Sequence, residues 1–215
     1  MTAPDDLGFI HRFQPSSGNR ITLLLLHGTG GDENGLIPLG NTLLPGAALL
    51  SLRGRVLENG MPRFFRRFAE GVFDLDDLKL QTGLLARFIK DATAKYGLDP
   101  QELIAVGYSN GANIAASLLL TQPGILSGAV LFRAMVPFVS DSPPDLKNVP
   151  VLLTAGSRDP IVPQQQTLAL AEMLKNGGAE VSVHWHTGGH ELGNDDIEAA
   201  KKWIQAWSQS TAKSK

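Results

Sequence analysis

Five short, nearly continuous apolar stretches, residues 21–26, 47–52, 103–106, 129–132 and 151–155, recur along the chain with helix-length segments between them. A strand that faces water on one side alternates apolar and polar residues. A strand apolar at almost every position has to be covered on both faces. Parallel pairing also demands long crossovers, and the helices that make the crossovers supply the covers. The pattern predicts an α/β protein with a mostly parallel central sheet and helices on both faces. Residues 181–186 differ, with Val181, Val183 and Trp185 on one face and Ser182, His184 and His186 on the other. That alternation reads as a strand nearer the sheet edge.

Three intervening segments carry helix signals. From Asp74, a cap candidate, Leu78, Leu85, Ile89, Ala92 and Tyr96 form one stripe, and Gly97 followed by Pro100 ends it. Residues 164–176 stop at Gly177-Gly178 in the same way. Asn194 is placed to cap residues 195–207, whose first turn holds Asp195, Asp196 and Glu198, where the helix dipole favours negative charge.

Composition narrows the function. The 215 residues suit one domain spanning 1–215, with 1–6 and 208–215 expected to fray. Nineteen Lys+Arg against 21 Asp+Glu leave no broad basic field, so no nucleic-acid partner is expected. The absence of Cys removes disulfides, thiolate metal sites and a cysteine nucleophile. Gly 23 and Pro 13 exceed ordinary usage and point to many tight turns. No clean apolar run is longer than the four residues 23–26, far below the ~20 that span a bilayer. The first fifteen residues include Asp5 and Asp6 and no apolar stretch, unlike a secretory signal, so the expected location is cytoplasmic.

The chemistry is concentrated in Val106-Gly-Tyr-Ser-Asn-Gly111, which follows an apolar run and precedes a helical segment. G-x-S-x-G at such a junction is the nucleophile elbow, a sharp turn that exposes the serine oxygen. The pattern alone is weak, and an ordinary glycine turn would read the same. Its context supplies the missing parts in the required order of serine, acid and histidine. Asp159 follows the run 151–155, and His190 follows the strand 181–186, so both sit at strand ends, where open α/β sheets gather their sites. Upstream, Leu26-His-Gly-Thr-Gly-Gly31 resembles the loop that donates one oxyanion N–H, from Thr29 here, with the Asn110 N–H as the second donor.

These features resemble the α/β-hydrolase superfamily, and within it the small phospholipase/carboxylesterase family that includes acyl-protein thioesterases. The likeness covers about residues 20–207 and is carried by LLLLHGTGGDE, GYSNG, AGSRDPIVP and TGGHEL. It implies a serine hydrolase with Ser109, Asp159 and His190 as triad and Thr29 and Asn110 as oxyanion donors. Family thioesterases usually place Gln after the serine and a small Ser-Gly segment after the next strand. Asn110 and Phe132-Arg-Ala-Met-Val-Pro137 depart from that, and with SLRGRVLENGMPRFFRRFAEGVFD they are more like a bacterial subgroup associated with quinone or hydroperoxide stress. The expected substrate is a small or short-acyl ester, cleaved through an acyl-enzyme without metal or organic cofactor. Thioesterase, lysophospholipase, perhydrolase and lactone or C–C bond hydrolase chemistry can run on the same triad, and a non-enzymatic ligand-binding scaffold is the contrasting class. Relatives are often homodimers, so a homodimer is the oligomer the resemblance implies.

Other features have two readings each. Arg53, Arg55, Arg63, Arg66 and Arg67, interleaved with Met61, Phe64 and Phe65, could overhang the site and hold a substrate carboxylate, or could pair on the surface with Glu58, Glu70, Asp74, Asp76 and Asp77. Arg53, Phe64, Phe65 and Met135 are the pocket candidates, with core packing as the alternative for Met135 and Phe138. His184, His186, His190 and Glu191 could suggest a metal cluster, but His190 has the better use as a base and no metal site is assigned. Asp141 and Asp145 are rival acids that precede the strand 151–155 and rank below Asp159.

Overall fold

The computed structural model describes residues 7–139 and 142–213. The elements in chain order are β1 (His11–Gln14), β2 (Thr22–Leu26), α1 (Ile37–Leu43), β3 (Ala48–Leu52), β4 (Val56–Glu58), β5 (Met61–Arg63), β6 (Arg67–Ala69), β7 (Val72–Phe73), α2 (Leu75–Tyr96), β8 (Leu103–Tyr108), α3 (Asn110–Thr121), β9 (Gly128–Phe132), β10 (Pro150–Gly156), α4 (Gln164–Asn176), β11 (Glu180–His186) and α5 (Asn194–Lys213). Seven strands form the central sheet in the order β1-β3-β2-β8-β9-β10-β11. All neighbours are parallel except β1, which pairs antiparallel with β3.

The continuous apolar runs have the two covers they call for. Leu24, Leu26, Leu50, Ala105, Leu131 and Leu153 point into a core closed by α2, α3 and α4. Leu23, Leu25, Leu49, Ile104, Val130 and Leu152 point the other way, against Leu43 of α1 and Ala200 and Ile204 of α5. The alternating strand β11 is the outer edge. The opposite edge, β1, carries His11, Arg12 and Gln14 around one aromatic and leaves no apolar run to find.

The helix caps agree with the sequence at α2. Asp74 accepts from the Asp77 N–H, and Gly97 takes the left-handed φ of 63°. At α4 the left-handed turn falls to Gly178 (φ 90°), whereas Gly177 keeps an ordinary φ of −81°. Gly177 is needed for another reason, since a Cβ there would lie 2.7 Å from the Pro144 carbonyl oxygen. The helix expected to end at Trp207 runs on to Lys213. Residues 1–6 and 214–215 lie outside the described residues. Between β3 and α2, where the sequence showed only an arginine- and phenylalanine-rich segment, two short hairpins form, β4–β5 and β6–β7. Among the described residues, no helix is long and apolar enough to cross a membrane.

Candidate active site

One residue, Ser109, separates the end of β8 from the start of α3. It sits at φ 51° and ψ −112°, a conformation that costs an L-residue about 1–3 kcal/mol. The surrounding hydrogen bonds impose it. The Ser109 N–H donates to the Phe132 carbonyl at 2.9 Å, and the Asn113 N–H donates to the Ser109 carbonyl at 2.9 Å. Both motif glycines are required by packing. A Cβ on Gly107 would lie 2.7 Å from the Ala112 Cα, and one on Gly111 would lie 2.0 Å from the Leu26 carbonyl oxygen. The strand-to-helix turn can be this tight only because helix and neighbouring strand touch at backbone distance.

His190 reaches the serine from the loop after β11. Its Nε2 lies 2.9 Å from Ser109 Oγ, and its Nδ1 lies 2.8 Å from Asp159 Oδ2. Asp159, on the loop after β10, has its side chain out of solvent, and its Oδ1 accepts the Ile161 and Val162 N–H groups at 2.8 and 3.0 Å. These bonds aim the other oxygen at the imidazole. The two loops are zipped together by Ser157 N–H to the His186 carbonyl and Arg158 N–H to the Gly188 carbonyl. The approach is close enough that a Cβ on Gly156 would lie 2.2 Å from the Gly189 oxygen. Tyr108 adds a bond from its hydroxyl to the His190 carbonyl, and burial raises its phenol pKa. Such an array can pass the serine proton to the imidazole while the carboxylate orients it.

Thr29 and Asn110 line the same cavity as Ser109. The Asn110 amide is the first of α3, where the leading N–H groups have no intrahelical acceptor. The turn carrying Thr29 is held by His27, whose Nδ1 bonds the Gly28 carbonyl and whose Nε2 accepts the Gly54 N–H. Burial, opposed by the Gly28 bond, lowers the His27 pKa below its ordinary 6.5 and keeps the ring neutral. The Asn110 and Asn113 side chains pin the flanking segments to α3 by accepting the Phe64 and Met135 N–H groups.

A cleft of ≈ 230 Å³ opens beside Ser109 and His190 and is lined by Thr29, Asn110, Met135, Arg63 and Arg67, among others. Of the four pocket candidates, only Met135 is there. Arg53 is engaged elsewhere by Glu33 and Asp32. Phe64 and Phe65 are fully buried in the core under the hairpins, because apolar rings in a charged segment gain most by turning inward. The arginine cluster divides between its two readings: Arg66 pairs with Asp74 and Asp77 on the surface, whereas Arg63 and Arg67 share Glu58 while lining the cleft, Arg63 being buried. Arg55 stacks over Phe9. The histidines of the suggested metal cluster diverge, with His186 against Arg133 and His190 against Ser109. Among the described residues, no group of three or more potential ligands is placed to hold a metal ion. Asp145 caps the Lys147 N–H on an exposed turn, and Asp141 lies outside the described residues.

Sequence reasoning missed Arg133. It follows β9 with φ 58°, is wholly buried, and donates to the carbonyls of Gly189 and Glu191, which flank His190. Only the departure from the small Ser-Gly segment hinted at it. Asn113, three residues into α3 from Asn110, was missed as well. Its spacing on the helix face that carries Asn110 was the available signal.

The phospholipase/carboxylesterase family model matches residues 13–208. The hydrolase MhqD of Bacillus subtilis, described as putative, is 46% identical over 195 residues, covering 91% of this chain and 97% of that protein. A Bacillus cereus carboxylesterase superposes with a TM-score of 0.91 at 44% identity, covering 94% of this chain and 95% of its own. The structure of YahD with malic acid superposes with a TM-score of 0.87 at 32% identity, covering 92% of this chain and 98% of its own.

Proposed function

The chain belongs to the phospholipase/carboxylesterase family and has its α/β-hydrolase fold, and from that premise we propose that it hydrolyses small or short-acyl carboxylic esters through an acyl-enzyme on Ser109. That it acts on ester bonds follows from the family. The observation that carries the mechanism is the continuous path from Ser109 Oγ to His190 Nε2 at 2.9 Å and from His190 Nδ1 to Asp159 at 2.8 Å. His190 takes the serine proton as Oγ attacks the carbonyl carbon, and Asp159 holds the tautomer and stabilises the imidazolium. The Thr29 and Asn110 amides take the oxyanion, each donor worth roughly 10²–10³ in rate. The imidazolium returns its proton to the leaving alcohol. Water, deprotonated by the same imidazole, then releases the acid and restores Ser109. The scheme calls for no metal or organic cofactor.

Short acyl groups are favoured by the size of the cleft, ≈ 230 Å³, with Met135 in its wall. Malic acid, named with YahD, is a ligand of that scale. The test is labelling by a fluorophosphonate. One equivalent on Ser109, read by intact mass and peptide mapping, is expected. Ser109→Ala should lose labelling and about 10⁶-fold of kcat. A label elsewhere, or an active Ser109→Ala enzyme, would remove the mechanism.

A further inference from the structure

The cleft beside Ser109 has a cationic wall. Arg63 ends β5 and Arg67 begins β6, and both line the cavity that holds Ser109 and His190. They share one carboxylate: Glu58 lies 2.9 Å from Arg63 Nε and 3.2 Å from Arg67 Nε. Arg63 is almost wholly out of solvent, with Nη1 donating to Thr29 Oγ1. Arg67 engages Glu58 through Nε alone, and its four Nη hydrogens have no acceptor among the described residues. Glu70, on the turn of the same hairpin, also lines the cleft but is exposed and within 4 Å of neither guanidinium. Two guanidinium groups therefore face the cavity with one carboxylate in contact and a second, Glu70, acting on Arg63 only through longer-range attraction. The cost of that arrangement shows in Arg63, whose pKa is lowered by burial first and by the Arg67 charge second. An anion in the cleft offsets the repulsion between the two guanidinium groups.

We propose that Arg63 and Arg67 hold a carboxylate carried by the substrate, so that the preferred esters are anionic: monoesters of small dicarboxylic acids, or esters of small hydroxy acids. This rests on the ester-hydrolase reading and names its substrate class. Guanidinium forks match carboxylates in geometry and bind them more strongly than neutral donors do. Arg63 also touches Thr29, the residue assigned to the oxyanion, so a carboxylate at this wall sits next to the place where the ester carbonyl must rest. A neutral acyl chain leaves the wall to water. If the two arginines served only to clamp the hairpins through Glu58, charge on the substrate would not matter.

Two ester pairs separate these cases. Mono-p-nitrophenyl adipate and p-nitrophenyl hexanoate have six-carbon acyl chains that differ at the far end. The butyrate esters of 4-hydroxybenzoate and of phenol differ on the alcohol side. Roughly tenfold or higher kcat/KM for the anionic member of at least one pair is expected, mostly through KM and weakening with added salt. That ratio should fall toward one in Arg67→Gln and below one in Arg67→Glu, both at a partly exposed position where folding is readily checked by circular dichroism. Neutral members cleaved as well as or better than anionic ones in both pairs, or an unchanged ratio in both folded variants, would overturn the proposal. Calorimetric titration with adipate reads the wall without turnover. Binding that weakens in Arg67→Glu supports it, and absent or unaltered binding counts against it. Failure to cleave any of the four esters would instead strike the hydrolase reading.

Discussion

Arg133 and Asp196 meet as a bidentate ion pair with both side chains fully out of solvent, Nη1 to Oδ1 at 2.9 Å and Nη2 to Oδ2 at 2.6 Å. Burial opposes ionisation of Asp196, but the Arg133 hydrogen bonds and the Gly193 N–H outweigh it and hold the carboxyl below its usual range. The same guanidinium reaches Thr154 of β10 and the carbonyls on either side of His190. One side chain therefore ties the β9 end, the β10 strand, the start of α5 and the histidine loop together.

Breaking that pair should be costly, because the survivor is a buried charge without its partner. Asp196→Asn and Arg133→Met are each expected to lower unfolding free energy by about 3–5 kcal/mol, read from urea denaturation midpoints. Arg133→Lys should not restore stability, since an ammonium cannot reproduce the planar fork that serves this many acceptors. Wild-type midpoints in all three variants would contradict the account.

Asp159→Asn should keep the fold and lose up to about 10⁴-fold in kcat, because an amide at Oδ2 stabilises the wrong imidazole tautomer. Asp145→Asn should retain wild-type turnover, as Asp145 sits on an exposed turn and accepts the Lys147 N–H there. Steady-state kinetics on the same short ester compare the two. The reverse ranking would show that the carboxylate assignment is wrong.

Buried His27 makes stability depend on pH. Its folded pKa is lowered below the ordinary 6.5 that it regains on unfolding. Between those two values the unfolded chain binds a proton that the folded chain refuses, so stability rises with pH across that window. The contribution is complete above about pH 6.5 and is lost as pH falls through the folded value. Urea midpoints measured from pH 8 down to pH 5 should therefore decline below about 6.5, and His27→Gln should flatten that part of the curve. A midpoint that rises on acidification in this range would have the wrong sign.

Acyl length should matter through the volume of the cleft. Each buried CH₂ is worth ~0.8 kcal/mol, so an open tunnel would show kcat/KM climbing about fourfold per carbon. The ≈ 230 Å³ cleft should instead give a maximum at about two to six carbons, at which the ~0.8 kcal/mol gained per CH₂ meets the wall. Met135→Ala should move that maximum to longer chains. A p-nitrophenyl ester series from acetate to palmitate measures both, and a wild-type maximum at decanoate or beyond would restore a lipase or thioesterase reading.

What the sequence determined by itself rests on local pattern. Continuous apolar runs specified strands covered on both faces, the alternation of 181–186 specified an edge, and Asp74 with Gly97 bounded α2. The positions of Ser109, Asp159 and His190 at strand ends were legible because a parallel sheet delivers every such end to the same rim. What the sequence left open was decided by contacts between distant segments. Of five arginines in one cluster, only Arg63 and Arg67 reach the cleft, because the hairpins β4–β5 and β6–β7 turn those two inward while Glu33 captures Arg53. Phe64 and Phe65, read as pocket walls, are core, since residue size gives no direction and burial of apolar area sets it. Arg133 had no signature as a buried residue: an arginine is mostly exposed unless paired, and its partner Asp196 lies 63 residues further along the chain.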